Sequence, residues 1–405
     1  MYTGITIIED GSVVTPRGFL AGATYAGLKT YGEDKLDLGI LYSETAAAAA
    51  GTFSTNRFRS GSVVVSEQHI ASGWARAVVV NSGVANAGVG APGVKDAQEM
   101  TNLAAAQVDV NPDDVLVCST GMIGVELPMA LVRNGLTKIS PSLQGGHLFA
   151  RSILTTDSVS KEIAVSFSLG DQVIHLAGCT KGAAMIHPNM ATMLCFLTTD
   201  ASMDPAFLHS ILKGAVDDSF NMISIDGDNS TNDTVIILAN GAAGAAPICP
   251  GTLEAELFNE ALEQVTTHLA KAIVRDGEGA TKLFQVIVEG ACTEAEARLA
   301  ARSVSSSNLV KAAVHGNDPN WGRIIMAVGK SGAEVDPSKV DLYINEIFIM
   351  ERGLPIPFSK EAVIATMQAP EIGFRIHLNL GDGTAMAWGC NLSEEYVTFN
   401  SAYTT

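Results

Sequence analysis

The stretch Lys181-Gly182-Ala183-Ala184-Met185-Ile186-His187-Pro188-Asn189-Met190-Ala191-Thr192-Met193-Leu194-Cys195 is where the reading of this chain turns. Apolar side chains surround Lys181, Asn189 and Thr192. Polar groups in so apolar a run need partners if they are buried. Pro188 has no N–H to give to a ladder, so the run is not one continuous central strand. The local pattern alone reads as a loop followed by a strand, with Thr192 an ordinary β-former.

Around it lies a chain of 405 residues, long enough for two or three domains. Apolar residues make up 47% and charged residues 17%, which excludes a disordered chain. With 25 Lys and Arg against 43 Asp and Glu, the net charge is −18. Such a surface repels phosphate backbones and argues against nucleic acid as a partner. It leaves room for a small charged substrate at a local site. The first residues lack the basic flank and apolar core of a signal peptide. No run reaches the ~18 apolar residues of a membrane span. The longest candidate, 234–249, is broken by Asn240, two glycines and Pro247. The six cysteines form no C-x-x-C pair and read as buried thiols in a reducing cytoplasm. The eight histidines show no H-x-x-x-H spacing, so no metal site is expected.

Strand-like runs fall at 77–80, 115–118, 234–238 and 284–288, and helix-like runs at 96–108 and 204–217. Asp204 suits an N-cap and Pro205 the first helical position. Leu253, Leu257, Phe258, Leu262, Val265, Leu269 and Ile273 share one stripe of a longer helix. The last third alternates apolar and polar residues, at Val340, Leu342 and Ile344 and again at Phe374, Ile376, Leu378 and Leu380. Gly381-Asp382-Gly383 then reads as the turn of a hairpin into residues 384–390. The mixture points to a large α/β body.

Other compact polar blocks are Asn81-Ser82-Gly83, Cys118-Ser119-Thr120-Gly121-Met122-Ile123-Gly124, Asp226-Gly227-Asp228 with Ser230-Thr231-Asn232-Asp233-Thr234, Asp276-Gly277-Glu278-Gly279-Ala280-Thr281-Lys282, Asp318-Pro319-Asn320-Trp321-Gly322-Arg323 and the tail from Asn400 to Thr405. Together with Asn189-Met190-Ala191-Thr192-Met193-Leu194, and in this order, they resemble the ornithine acetyltransferase family of arginine biosynthesis along nearly the whole chain. The resemblance implies an αββα-like layered body over residues 1–280, a smaller α/β domain over 281–390, and a tail, 391–405, that returns to the active site. It implies that the chain cuts itself between Ala191 and Thr192, giving an α chain of residues 1–191 and a β chain of residues 192–405. Ala184 stands where members commonly carry glycine, and Val84 and Gly88 where asparagine and cysteine are expected.

The chemistry so implied is sound on its own terms. A threonine hydroxyl is a poor nucleophile until a base takes its proton. A free α-amino group, with a pKa of about 7.7–8, suits that task near neutral pH. Cleavage before Thr192 puts nucleophile and base on one residue. Tetrahedral oxyanions form in both cleavage and acyl transfer and need donors already in place. By resemblance these are the Thr120 hydroxyl and the Gly121 backbone N–H. Read locally, Ser119-Thr120-Gly121 is a strand-end turn. Ser119 as a hydrolase nucleophile lacks the G-x-S-x-G elbow. The resemblance makes Thr155 (or its neighbour Thr156), Lys181, Thr192, Glu278, Asn400 and Thr405 the substrate contacts.

The expected function is a self-processing glutamate N-acetyltransferase. N-acetyl-ornithine acetylates Thr192, ornithine leaves, and glutamate takes the acetyl group in a ping-pong cycle. No cofactor is expected, and acetyl-CoA is a second candidate donor on which the sequence is silent. The expected setting is the cytoplasm, as a heterotetramer of two α and two β chains or larger. Two alternatives stand beside it: an N-terminal-nucleophile amidohydrolase or aminopeptidase that passes the acyl group to water, and a non-catalytic amino-acid-binding protein.

Overall fold

The neighbouring parallel strands Trp74–Asn81 and Val115–Ser119 are apolar on both faces. In a computed structural model describing residues 4–29, 35–187 and 193–402, Val78, Val80, Leu116 and Cys118 point into one apolar layer. Ala77, Val79, Val115 and Val117 point into another, against the helices Gly61–Ile70, Ala91–Val108 and Met129–Leu136. The same alternation recurs in Leu194–Thr199 and Thr234–Ala239. Leu194, Phe196, Ile236 and Leu238 join the first layer, while Cys195, Leu197, Val235 and Ile237 face the helices Pro205–Asp218 and Leu253–Arg275. A period of two sends alternate side chains to opposite faces, so both halves are covered on both sides.

The two halves belong to one nine-stranded sheet among the described residues. They are joined by the long strand Leu38–Phe53. Its first part pairs with Phe19–Thr24 and Trp74–Asn81, its last part with Thr234–Ala239, and its register shifts between Tyr42 and Ala47. The two halves share the inner apolar layer and each carries helices on its outer face, so the order is helix, half-sheet, half-sheet, helix, the layering expected. Phe149 and Phe196 meet edge-on at 5.2 Å in the inner layer. Truncating either to alanine costs about 3–5 kcal/mol.

A second sheet of seven strands runs Leu354–Pro355, Ile347–Glu351, Asp341–Ile344, Glu371–His377, Leu283–Ala291, Gly383–Cys390 and Ile223–Ser224. All but the last come from beyond residue 280. One apolar cluster, with Ile225 and Ile273 beside Phe284 and Trp388, continues from the first body into this sheet.

The hairpin expected around Gly381-Asp382-Gly383 does not form. Both strands exist, but Leu283–Ala291 lies between them, parallel to Glu371–His377 and antiparallel to Gly383–Cys390. Phe284, Val286 and Val288 are fully buried, and so apolar a strand is better placed in the middle than at an edge. The connection wraps its end, with Leu380 and Gly381 N–H groups donating to the Gly290 carbonyl. The helix expected over 96–108 begins earlier, at Ala91, with Pro92 in its first turn. Asp204 caps its helix as read, accepting from the Ala206 and Phe207 N–H groups. Cys249 and Cys292 are exposed, so the cysteines are not uniformly buried. Among the described residues no helix is long and apolar enough to cross a membrane.

Candidate active site

Strands Trp74–Asn81, Val115–Ser119 and Gln172–Lys181 end, and Leu194–Thr199 and Thr234–Ala239 begin, around one cavity of about 550 Å³. That is an ordinary size for a small-molecule site.

The oxyanion candidates come from the end of Val115–Ser119. Asn81 accepts from the Thr120 N–H at 3.0 Å through its carbonyl and donates to the Ser119 hydroxyl at 2.7 Å. Asn232 donates to the Ser119 carbonyl at 2.7 Å and to the Ala85 carbonyl at 2.5 Å. Gly121 has φ +125°, a backbone that side chains rarely adopt. A Cβ there would sit 2.4 Å from the Gly83 carbonyl carbon and oxygen. Among the described residues the Gly121 N–H has no acceptor, and Thr120 and Gly121 both line the cavity. Ser119 is buried and its hydroxyl is engaged by Asn81 and Ser62, which leaves it no path to a substrate.

Lys181 ends its strand opposite Leu194, and its ammonium donates to the Thr120 hydroxyl oxygen at 3.2 Å. Burial pulls Lys181 below the usual lysine range, and Asp157 is the largest influence opposing it. Thr155 and Thr156 both line the cavity, so geometry does not choose between them. Glu278 follows the helix Leu253–Arg275, and its N–H donates to the Ala183 carbonyl at 2.8 Å. Its carboxylate accepts from the Asn400 amide at 2.7 Å. The tail helix Glu394–Ala402 is held over the cavity by that bond and by Ser393, which donates to the Gly279 carbonyl at 2.7 Å. Thus Thr120, Gly121, Thr155, Lys181, Glu278 and Asn400 come together at one cavity. Ala191, Thr192 and Thr405 lie outside the described residues. Met193, the residue bonded to Thr192, lines the cavity.

Three residues in or beside this site carry no role in the sequence reading. Asp226 accepts from the Met185 N–H at 2.5 Å and the Ile186 N–H at 2.9 Å, and from the Tyr396 hydroxyl at 3.4 Å. Burial and Asp226 together push the Tyr396 phenol up. The Asp157 side chain is fully buried and accepts from the Gly182 N–H at 2.6 Å.

The ArgJ family model matches residues 20–405. This chain belongs to the ArgJ family. It is similar to the arginine biosynthesis bifunctional protein ArgJ of Dehalococcoides mccartyi, at 48% identity over 405 residues and all of both chains. The protein of the same name from Symbiobacterium thermophilum is 46% identical over 397 residues, 98% of this chain and 99% of that one. A solved structure of arginine biosynthesis bifunctional protein ArgJ from Bacillus halodurans matches with a TM-score of 0.52 and 42% identity, over 52% of this chain and 100% of that chain. Like other ArgJ proteins, the chain is an acyltransferase of arginine biosynthesis.

Proposed function

We propose that this ArgJ protein cuts itself before Thr192 and moves an acetyl group from N-acetyl-ornithine to glutamate through an acetyl-threonine intermediate. The Thr192 hydroxyl attacks the Ala191 carbonyl, the peptide nitrogen leaves, and water hydrolyses the resulting ester. The freed α-amine then takes the hydroxyl proton as Thr192 attacks the acetyl carbonyl of the donor. The tetrahedral oxyanion is met by the Gly121 N–H and the Thr120 hydroxyl. The departing ornithine nitrogen takes the proton from the Thr192 amine. The glutamate α-amine attacks the acetyl ester in the second half and regenerates the free threonine. Lys181 suits an α-carboxylate common to both amino acids, and Glu278 with Asn400 suits an ammonium group.

One observation carries the reading: Gly121, whose N–H has no acceptor among the described residues, and Thr120, whose hydroxyl accepts from Lys181, line the cavity whose wall continues into Met193. The cycle calls on no cofactor. We place it in the cytoplasm, in an assembly of two α and two β chains.

Thr192→Ala tests the reading. It should give a single full-length band on a denaturing gel and no acetyl transfer. An active, uncut Thr192→Ala protein refutes it.

A further inference from the structure

We propose that Asp157 is a positioning residue of this site: it holds Thr155 and the Lys181–Gly182 peptide in place, so that Lys181 meets the Thr120 hydroxyl. The proposal rests on the acyl-transfer reading above and adds a residue to it.

The Asp157 side chain is 0% exposed and receives three donors. Its Oδ1 accepts from the Gly182 N–H at 2.6 Å and from the Lys161 ammonium at 2.6 Å, and its Oδ2 from the Thr155 N–H at 3.0 Å. Lys161 also donates to Asp276 at 2.5 Å, and Asp276 accepts from the Ser158 N–H at 3.0 Å. One lysine between two aspartates thus clamps three separate segments. They carry Thr155, Lys181 and, two residues past Asp276, Glu278. The first two lie before the proposed cut and the third after it.

Buried ions are costly unless paired and hydrogen-bonded, and breaking one partner of such a group is strongly destabilising. Asp157, Lys161 and Asp276 do not line the cavity, so substrate contact does not account for their burial. What they share is the placement of residues that do line it.

Charge adds a second effect. Lys181 faces the anions Asp157, Asp233 and Glu278 and the cations Lys161 and Lys29. A lysine ammonium only donates, and a hydroxyl carries one proton. Accepting from Lys181 therefore leaves the Thr120 proton free to point at an oxyanion. A neutral amine has a lone pair and competes for that proton. Of the anions around Lys181, Asp157 acts most strongly to keep it protonated, and it does so without touching substrate.

The test is the pH profile of kcat/KM for N-acetyl-ornithine in the processed enzyme, with Asp157→Asn and Asp276→Asn beside wild type. Removing an anion beside Lys181 disfavours its ammonium form, so the alkaline limb moves to lower pH, by about one unit. Asp276→Asn shares the clamp but bonds Lys161 and Ser158 among the described residues. It should lower thermal stability and leave the alkaline limb in place. Lys181→Arg bears a charge that does not titrate, so its limb should vanish. A folded Asp157→Asn enzyme with the wild-type limb overturns the proposal. If Asp157→Asn does not fold, a wild-type limb in Lys181→Arg overturns it instead. Acetylation of Thr192 is read separately, so an unmoved limb in an enzyme that still forms acetyl-Thr192 counts against Asp157 alone.

Discussion

Gly121→Ala puts the oxyanion assignment under the sharpest structural strain. The new Cβ would lie 2.4 Å from the carbonyl carbon and oxygen of Gly83 and 2.8 Å from the Val84 nitrogen, all of them backbone atoms. Carbon atoms in ordinary contact stand about 3.5–4.0 Å apart, so the turn must move by roughly 1 Å. The φ of +125° adds strain for any residue with a Cβ. An oxyanion donor works over a window of about 2.7–3.1 Å, and a shift of that size removes it. Losing one such donor costs about 10²–10³ in kcat, or roughly 3–4 kcal/mol. The loss belongs to the transition state, so KM for N-acetyl-ornithine should change little. Initial rates of ornithine release, normalised to cut chain on a gel, measure the effect, and circular dichroism confirms the fold. Self-cleavage forms its own oxyanion, at the Ala191 carbonyl, and if the same donors meet it, it should slow as well. A folded Gly121→Ala enzyme that cuts itself and turns over at the wild-type rate would refute the assignment.

Two further outcomes follow from the fold. Leu194–Thr199 pairs with Gln172–Lys181 on one side and Thr234–Ala239 on the other, so a cut before Thr192 leaves two chains in one sheet. Gel filtration without denaturant should keep them in one particle, and free separated chains would contradict that. Burial, and then the charge of Arg302, lowers His187 to about 4. Its unfolded value is about 6.5, so folding gains from the neutral imidazole above that pH and loses the gain as pH falls towards 4. The melting temperature should drop through that window, and His187→Gln should flatten the drop; an unchanged slope would count against it.

Much of the architecture is written in local pattern. The continuous apolar runs at 77–80, 115–118 and 234–238 become strands covered on both faces, and their period of two sorts the side chains between layers. Asp204 caps its helix because the cap is a short-range bond to the next residues. The hairpin reading failed because alternation states that a strand is half-buried and not which strand lies beside it. Leu283–Ala291 enters that gap from about ninety residues upstream, and its place is set by burial of Phe284, Val286 and Val288. The site residues divide in the same way. Lys181, Thr120, Gly121 and Glu278 stand in motifs that carry a resemblance. Asp157 is tied to Asp276 through Lys161 and the neighbouring Ser158, and Asn232 meets Ser119 across 113 residues of chain. No spacing announces such pairs. A lone aspartate in Thr-Thr-Asp-Ser reads as a surface turn until its burial is known.

The central claim is that Thr192 itself carries the acetyl group. The direct measurement is mass spectrometry of the purified enzyme after incubation with N-acetyl-ornithine and no glutamate. The predicted result is a β chain beginning at Thr192, heavier by one acetyl group on the threonine hydroxyl, which disappears when glutamate is added. An uncut chain, or an acetyl group on any other residue, would contradict it.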